Sequence, residues 1–395
     1  FMLLDHLLVD RAYGGRFQLR SWQDIGVLGK AWNLLEDTNR ELVESAKAAN
    51  PTCLFCKTSD FLLQWSFMGE PHPKAKWSRA SDVVELAKTL QNPMGCVHCH
   101  DPHAAKPRVV RDALIQAVTT RGATPYAQDP RKEALKVVEF RGFRKIGLLT
   151  KPDSTLQCAQ CHVEYNCNIG LDPTTGAKIG FDDPRTNHFP WVNVLDIQKT
   201  YDELKFRDFT HAVTDAPLIK VQHPETEVFW NSRHEKAGLQ CADCHMPKMT
   251  KPDGTTFTSH WQTTPRRYLR DTCLRCHGDW TEADALYRID AVQEYTRGKI
   301  RKAEFWLGRL IDTFDEAKRA AVPEPALRTA RAQHDTAHVL WEWWTAENSD
   351  GFHNPDQARE ALGRSIAASK KGIAILEQAM PREGRAAAKG GHGGS

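Results

Sequence analysis

Ten of the eleven cysteines fall into five Cys-x-x-Cys pairs, and this feature restricts the fold more than any other: Cys53/Cys56, Cys96/Cys99, Cys158/Cys161, Cys241/Cys244 and Cys273/Cys276. Four pairs are followed at once by a histidine, namely His100, His162, His245 and His277. From the composition, only on the order of 0.01 such pentapeptides is expected by chance in a chain of this size. The spacing has a chemical reason. Two thiols three residues apart can add to the two vinyl groups of one porphyrin, and the next residue then turns its imidazole to the iron. Zinc knuckles and redox dithiols do not require histidine directly after the second cysteine. An odd cysteine count also argues against a simple disulfide framework. Haem c is attached outside the cytoplasm, so a periplasmic or otherwise extracytoplasmic protein is expected.

The rest of the composition agrees. The apolar share is 41% and the mean hydropathy −0.54, modest for 395 residues, and five macrocycles would supply much of the core. No run approaches the roughly 18 apolar residues of a membrane span. The most apolar segment, Phe1 to Asp10, is interrupted by Asp5 and His6. Because the sequence opens on Phe1, removal of a signal peptide or a longer N-terminus is expected. A net charge of +3 without a basic, aromatic-interleaved run argues against nucleic acid.

Length alone suggests two or three domains, yet no linker separates the motifs. The expected fold is mainly α: a haem-packed catalytic region over 1–280 with little β structure, long helices over 281–381, and a disordered Gly-, Ala- and basic-rich tail over 382–395. Residues 283–319 carry Ile300, Leu307, Ile311 and Phe314 at helical spacing, and Pro323 and Pro325 break the run. A second helix to about Asn348 presents Leu327, Ala330, Ala337, Trp341 and Trp344 on one stripe. Asn354-Pro355 has the form of an N-cap with proline in the first turn, opening a third helix with Leu362, Ile366 and Ile373. These stripes suit packing on a core, on haem or on a second subunit.

The first pair differs, because Lys57 stands where the others have histidine. One reading is a haem site whose histidine has been lost, or a lone zinc half-site. The other is a lysine amine as axial ligand, which must be neutral to bind iron and so needs its pKa depressed by burial and by the metal. A haem with imidazole on both faces transfers electrons only, whereas one open face permits chemistry.

At this point the chain resembles the pentahaem cytochrome c nitrite reductases (ammonia-forming) over nearly its whole length. In that family the lysine-ligated haem comes first and the C-terminal helices form a dimer. Asp37-Thr38-Asn39-Arg40 resembles the segment with the active-site arginine, Cys161-His162-Val163-Glu164-Tyr165 that with the tyrosine, and Lys220-Val221-Gln222-His223-Pro224-Glu225 that with the histidine. The resemblance implies that Arg40 holds nitrite, that His223 hydrogen-bonds its oxygen and supplies protons, and that Tyr165 donates a further proton or tunes the pocket. It also implies a Ca²⁺ ion held by Glu164, the backbones of Tyr165 and Lys220, and Gln222, all oxygen donors. His234, His260 and His353 match three distal haem ligands. The fourth is missing from its place, where this chain reads Gly29-Lys30-Ala31-Trp32; His103 is the expected replacement and His6 the runner-up. His188, His211, His334 and His338 are expected to be structural or surface residues.

The implied reaction is six-electron reduction of nitrite to ammonium. The implied partners are nitrite, a second copy of the chain, and an electron donor such as a membrane quinol-oxidising multihaem cytochrome or a soluble cytochrome. A haem wire without chemistry is a competing class, disfavoured by Lys57 and the 220–223 segment. A relative of the octahaem nitrite reductases, or a hydroxylamine-converting enzyme, is another. Cys167, two residues after Tyr165, resembles the octahaem enzymes, in which such a pair is joined by a thioether; residues i and i+2 of an extended segment share a face. The alternative is a buried cysteine packing as a small apolar residue.

Overall fold

The computed structural model describes residues 50–120 and 135–381. Arg40, His6, the Gly29–Trp32 segment and the 382–395 tail lie outside the described residues. Helices dominate, strands are short, and the long helices come last, as the spacing predicts. They are α1 (Glu282–Arg319), α2 (Glu324–Ala346) and α3 (Pro355–Ala379).

Local chemistry sets their ends. Thr281 caps α1 reciprocally: its hydroxyl accepts from the Asp284 N–H at 3.1 Å, and the Asp284 carboxylate accepts from the Thr281 N–H at 2.8 Å. Asn354 caps α3, its side chain accepting from the Gln357 N–H at 3.3 Å, with Pro355 in the first turn. The two prolines separate α1 from α2: the break falls at Ala320–Pro323, and Pro325 sits in the first turn of α2, where its missing N–H has no partner to lose.

The three helices share one core with Leu307, Leu310, Phe314, Leu327, Ala330, Leu362 and Leu376 buried. Each fully buried side chain of this size contributes about 1.5–3 kcal/mol relative to exposure. Gly372 lets α3 approach α1 closely, since a Cβ there would stand 2.7 Å from Leu310 Cδ1. The same core continues into Tyr201, Phe206, Ile219 and Val221, so the long helices back the segment that carries His223.

The remaining structure is irregular and short-stranded. A three-stranded antiparallel sheet has the order β1 (Arg108–Val109), β3 (Arg144–Leu148), β2 (Lys136–Phe140), with Arg108 opposite Leu148 and Val138 opposite Ile146. Small ribbons follow at 170–179, 209–218 and 248–258. One aromatic core (Phe55, Phe61, Trp65, Trp77) backs the first motif, and a second (Leu156, Val163, Tyr165, Phe189, Trp191, Trp230) backs the third. Among the described residues no helix is long and apolar enough to cross a membrane.

Candidate functional site

All five Cys-x-x-Cys segments fold as a single tight turn. In the second, the N–H groups of Cys99 and His100 donate to the Cys96 carbonyl at 3.1 and 2.8 Å. In the third, Cys161 and His162 donate to Cys158 at 3.1 and 2.9 Å. In the fifth, Cys276 and His277 donate to Cys273 at 3.2 and 3.0 Å. The fourth is the helical turn Cys241–His245. The first is the 3₁₀ turn Pro51–Cys56, opened by Asn50, which accepts from the Thr52 N–H at 2.9 Å. Such a turn brings the fifth residue back beside the first, the placement that a double thioether and an axial ligand require. Lys57 is exposed, so among the described residues nothing supplies the expected burial of its amine; a macrocycle on Cys53 and Cys56 would cover it.

The histidines meet across long stretches of chain. The His100 and His260 rings lie 6.2 Å apart between centres, and the His245 and His353 rings 6.1 Å apart. Two imidazoles bound to opposite faces of one metal, each through a bond of about 2 Å with the ring centre about 1 Å further on, have centres roughly 6 Å apart. The spacing therefore fits iron between them. The outer nitrogens are oriented as metal-bound imidazoles need: Nδ1 of His100 meets the Ala105 carbonyl at 3.0 Å, that of His245 the Thr263 carbonyl at 2.9 Å and that of His260 the Thr258 carbonyl at 3.0 Å. Burial and the neighbouring His245 hold His353 to a pKa of about 4, which keeps it neutral. Gly351, at φ +81°, allows the loop to bring His353 in; a Cβ there would collide with Thr296. His234 stacks on Phe352 of the same loop, and its pKa is lowered by burial and then by the charge of His277. A cleft of about 340 Å³ borders Cys96, Val97, His100, Asp101, Pro102 and Ala105.

His162 has no such imidazole opposite it among the described residues; its Nδ1 lies 3.4 Å from the buried Glu225 carboxylate. His103 is exposed on the loop after the second motif, its N–H donated to Asp101 at 2.9 Å, and the structure does not bring it to His162.

Tyr165 and His223 form one wall. Their ring centres are 6.3 Å apart, and the Phe189 ring lies 6.1 Å from that of Tyr165. The helix after His223, Glu225–Phe229, is tied to the third motif by the Thr226 N–H donating to the His162 carbonyl at 3.1 Å. The segment before His223 is held by three different carboxylates: the N–H groups of Lys220, Val221 and Gln222 donate to Asp208 at 2.7 Å, Glu342 at 3.3 Å and Glu164 at 2.7 Å. Tyr201 adds a 2.9 Å bond to Glu164. Burial raises Glu164 well above its ordinary value, with Asp208 and Glu342 adding to the rise. Burial likewise raises Asp208, to about 6, against the hydrogen bonds from Lys220 and Asn168. The nearby cation is the Lys220 ammonium, which donates to the Gln222 side-chain oxygen at 3.0 Å. Glu164 and Gln222 are thus adjacent, as a shared cation would need. Among the described residues no three His, Cys, Asp or Glu side chains form a metal cluster, but the expected donor set has one carboxylate, one amide and two backbone carbonyls.

Cys167 is buried in the same core as Tyr165, its Sγ 3.8 Å from Asn168 Oδ1. The structure adds residues that sequence reasoning passed over. Asp208 and Glu342 hold the pocket segment; the one signal for Glu342 is a lone carboxylate in the aromatic run Trp341-Glu342-Trp343-Trp344. His211, His334 and His338 are fully buried, and His338 Nε2 pairs with Glu342 at 2.9 Å.

The cytochrome c552 family model matches residues 33–390. The cytochrome c nitrite reductase subunit NrfA of Nitratidesulfovibrio vulgaris is 31% identical over 352 residues, covering 83% of this chain and 60% of that protein. Cytochrome c-552 of Aliarcobacter butzleri is 28% identical over 343 residues, covering 84% and 61%. This chain therefore spans about three-fifths of the length of these curated relatives. Among solved structures, a cytochrome c nitrite reductase catalytic subunit (NrfA) from Desulfovibrio desulfuricans, described as having two calcium sites, superposes with a TM-score of 0.69 at 26% identity, covering 91% of this chain and 72% of that one. The match over most of the sequence, the agreement of fold and the five haem-attachment turns place this chain in the cytochrome c552 family.

Proposed function

We propose that the protein reduces nitrite to ammonium in an extracytoplasmic compartment: nitrite, six electrons and eight protons give ammonium and two waters. Five haem c groups would be held by the five cysteine pairs, the first with Lys57 as axial ligand and the others with His100, His162, His245 and His277. His260 would face His100, His353 would face His245 and His234 would face His277; the ligand opposite His162 would come from outside the described residues, where His6, the runner-up, lies. The observation that carries the reading is the convergence of Tyr165 and His223, 58 residues apart in sequence, into one wall reached through Phe189 and Arg111 from the first motif.

When bound, haem supplies electrons and, on an open first haem, a Lewis-acidic iron. The chain's own groups do the rest. His223 can hydrogen-bond a substrate oxygen and pass it protons near neutral pH. Tyr165 presents a second acidic hydrogen beside it. Arg40 would hold the anion and stabilise charge as N–O bonds break. A Ca²⁺ on Glu164, Gln222 and the carbonyls of Tyr165 and Lys220 would fix both catalytic segments and add positive potential for an anionic substrate. The region 1–280 would be the catalytic part. Residues 281–381 would pack on it and on a second copy of the chain, with Tyr287, Tyr295 and Phe305 as exposed rings on α1 available for that contact. Electrons would come from a membrane quinol-oxidising multihaem cytochrome or a soluble cytochrome.

The test is turnover of nitrite with reduced viologen and an ammonium assay. Ammonium formed in a one-to-six ratio to electrons consumed is expected. Reduction and reoxidation of all haems without loss of nitrite would leave a pure electron carrier.

A further inference from the structure

Arg111, two residues beyond β1, is 2% exposed, and its Nε and Nη1 meet no acceptor. Its ionic neighbour, the Asp112 carboxylate, lies 3.8 Å away, beyond hydrogen-bond reach. That carboxylate is already engaged: Oδ2 accepts from the Trp65 indole at 2.8 Å and the Asn187 amide at 3.3 Å, and Oδ1 from the Ala113 N–H at 2.8 Å. Aromatic rings cover the guanidinium, with Phe55 4.5 Å and Phe189 5.3 Å from it. Only its donor edge remains for recognition. Arg144 also lies over Phe55, at 5.2 Å, fully buried; its terminal nitrogens serve the carbonyls of Phe61, Trp65 and Val110, while its Nε is unpartnered. The charges felt at this spot are Arg108, Arg111 and Arg144 against Asp112, with Asp101 4.0 Å from Arg108. A buried guanidinium with orphaned donors and surplus positive charge around it is costly unless an anion completes the site.

The position says which anion. Phe55 stands between the two cysteines of the first motif. Gln160, between the cysteines of the third, accepts the Arg111 N–H at 3.2 Å, and Cys56 Sγ lies 3.8 Å from the Gln160 carbonyl. The charge of Arg111 also acts on the Cys161 thiol. Haem c brings two carboxylates with each ring, and none of this chain's described carboxylates fills the role. We propose that Arg111 anchors a haem carboxylate at the junction of the first and third motifs, through its Nε–Nη1 edge. This rests on haem attachment at those two motifs.

The experiment compares R111Q and R111K with the unaltered holoprotein. Intact mass comes first: haem missing from the unaltered protein at either motif would fail the attachment reading itself. Optical redox titration at two pH values then tests the anchor. In R111Q the midpoint potential of one haem is expected to fall, because loss of a buried positive charge favours the ferric state. It is also expected to become pH-dependent, because the unpartnered carboxylate takes up a proton when that haem is reduced. R111K, which keeps charge but not the two-nitrogen edge, should show a smaller change of the same kind. Unaltered midpoints and pH dependence in R111Q overturn the proposal, as does a changed KM for nitrite with unaltered midpoints, which would make Arg111 a substrate group. Should R111Q not accumulate with five haems, R111K decides, and a titration identical to the unaltered protein overturns the proposal.

Discussion

Replacing Glu342 by alanine tests whether the pocket segment is held from behind by the long helices. Glu342 is 9% exposed on α2, and one oxygen receives both the Val221 N–H at 3.3 Å and His338 Nε2 at 2.9 Å. His338 keeps a second neighbour, the Ile219 carbonyl at 3.1 Å, so its loss is partial. The Val221 N–H keeps none nearby, and an orphaned buried donor costs about 1–3 kcal/mol. At about 2–4 °C per kcal/mol for chains of a few hundred residues, Glu342→Ala should lower the melting temperature of the haem-loaded protein by about 2–12 °C. Because Val221 is two residues from His223, nitrite turnover should fall as well. Glu342→Gln, whose amide oxygen can still accept, should recover most of both losses. Thermal unfolding followed in the Soret band, with turnover on the same samples, gives the answer. A Glu342→Ala protein with unaltered melting and unaltered turnover would mean that the Lys220–His223 segment does not depend on Glu342.

Three further outcomes are expected. Arg40→Ala and His223→Ala should each lower nitrite turnover by at least about 10²-fold, the scale of a lost charge stabiliser or proton donor, with haem content intact; near-normal rates in both would remove them from the active site. Intact mass should exceed the polypeptide by five haem groups, and four would mean that Lys57 does not mark a haem site. Peptide mapping should find Tyr165 and Cys167 joined with two hydrogens missing and no alkylation of Cys167 after unfolding; quantitative alkylation would leave an ordinary pocket tyrosine and a buried thiol.

What the sequence makes legible is local or repeated. The five turns follow from cysteine spacing, and the long helices from their apolar period and from caps such as Thr281/Asp284 and Asn354/Pro355. The break between the first two helices is legible in Pro323 and Pro325, because proline ends one helix and suits the first turn of the next. The rest depends on where distant segments meet. Nothing local to His260 says that it lies opposite His100, some 160 residues earlier; the resemblance marks His260 only as a distal ligand and does not name its partner. Buried polar groups were the least visible. Arg111 and Glu342 read in isolation as surface charges, and only packing shows that both are buried.

The central claim is that one haem of five, on Cys53, Cys56 and Lys57, has a face open to substrate. Electron paramagnetic resonance and optical spectroscopy of the oxidised holoprotein, before and after addition of nitrite or cyanide, address it most directly. One high-spin ferric haem among low-spin ones is expected, with that signal alone converting when the anion is added. An entirely low-spin spectrum, unaltered by either anion, would contradict it.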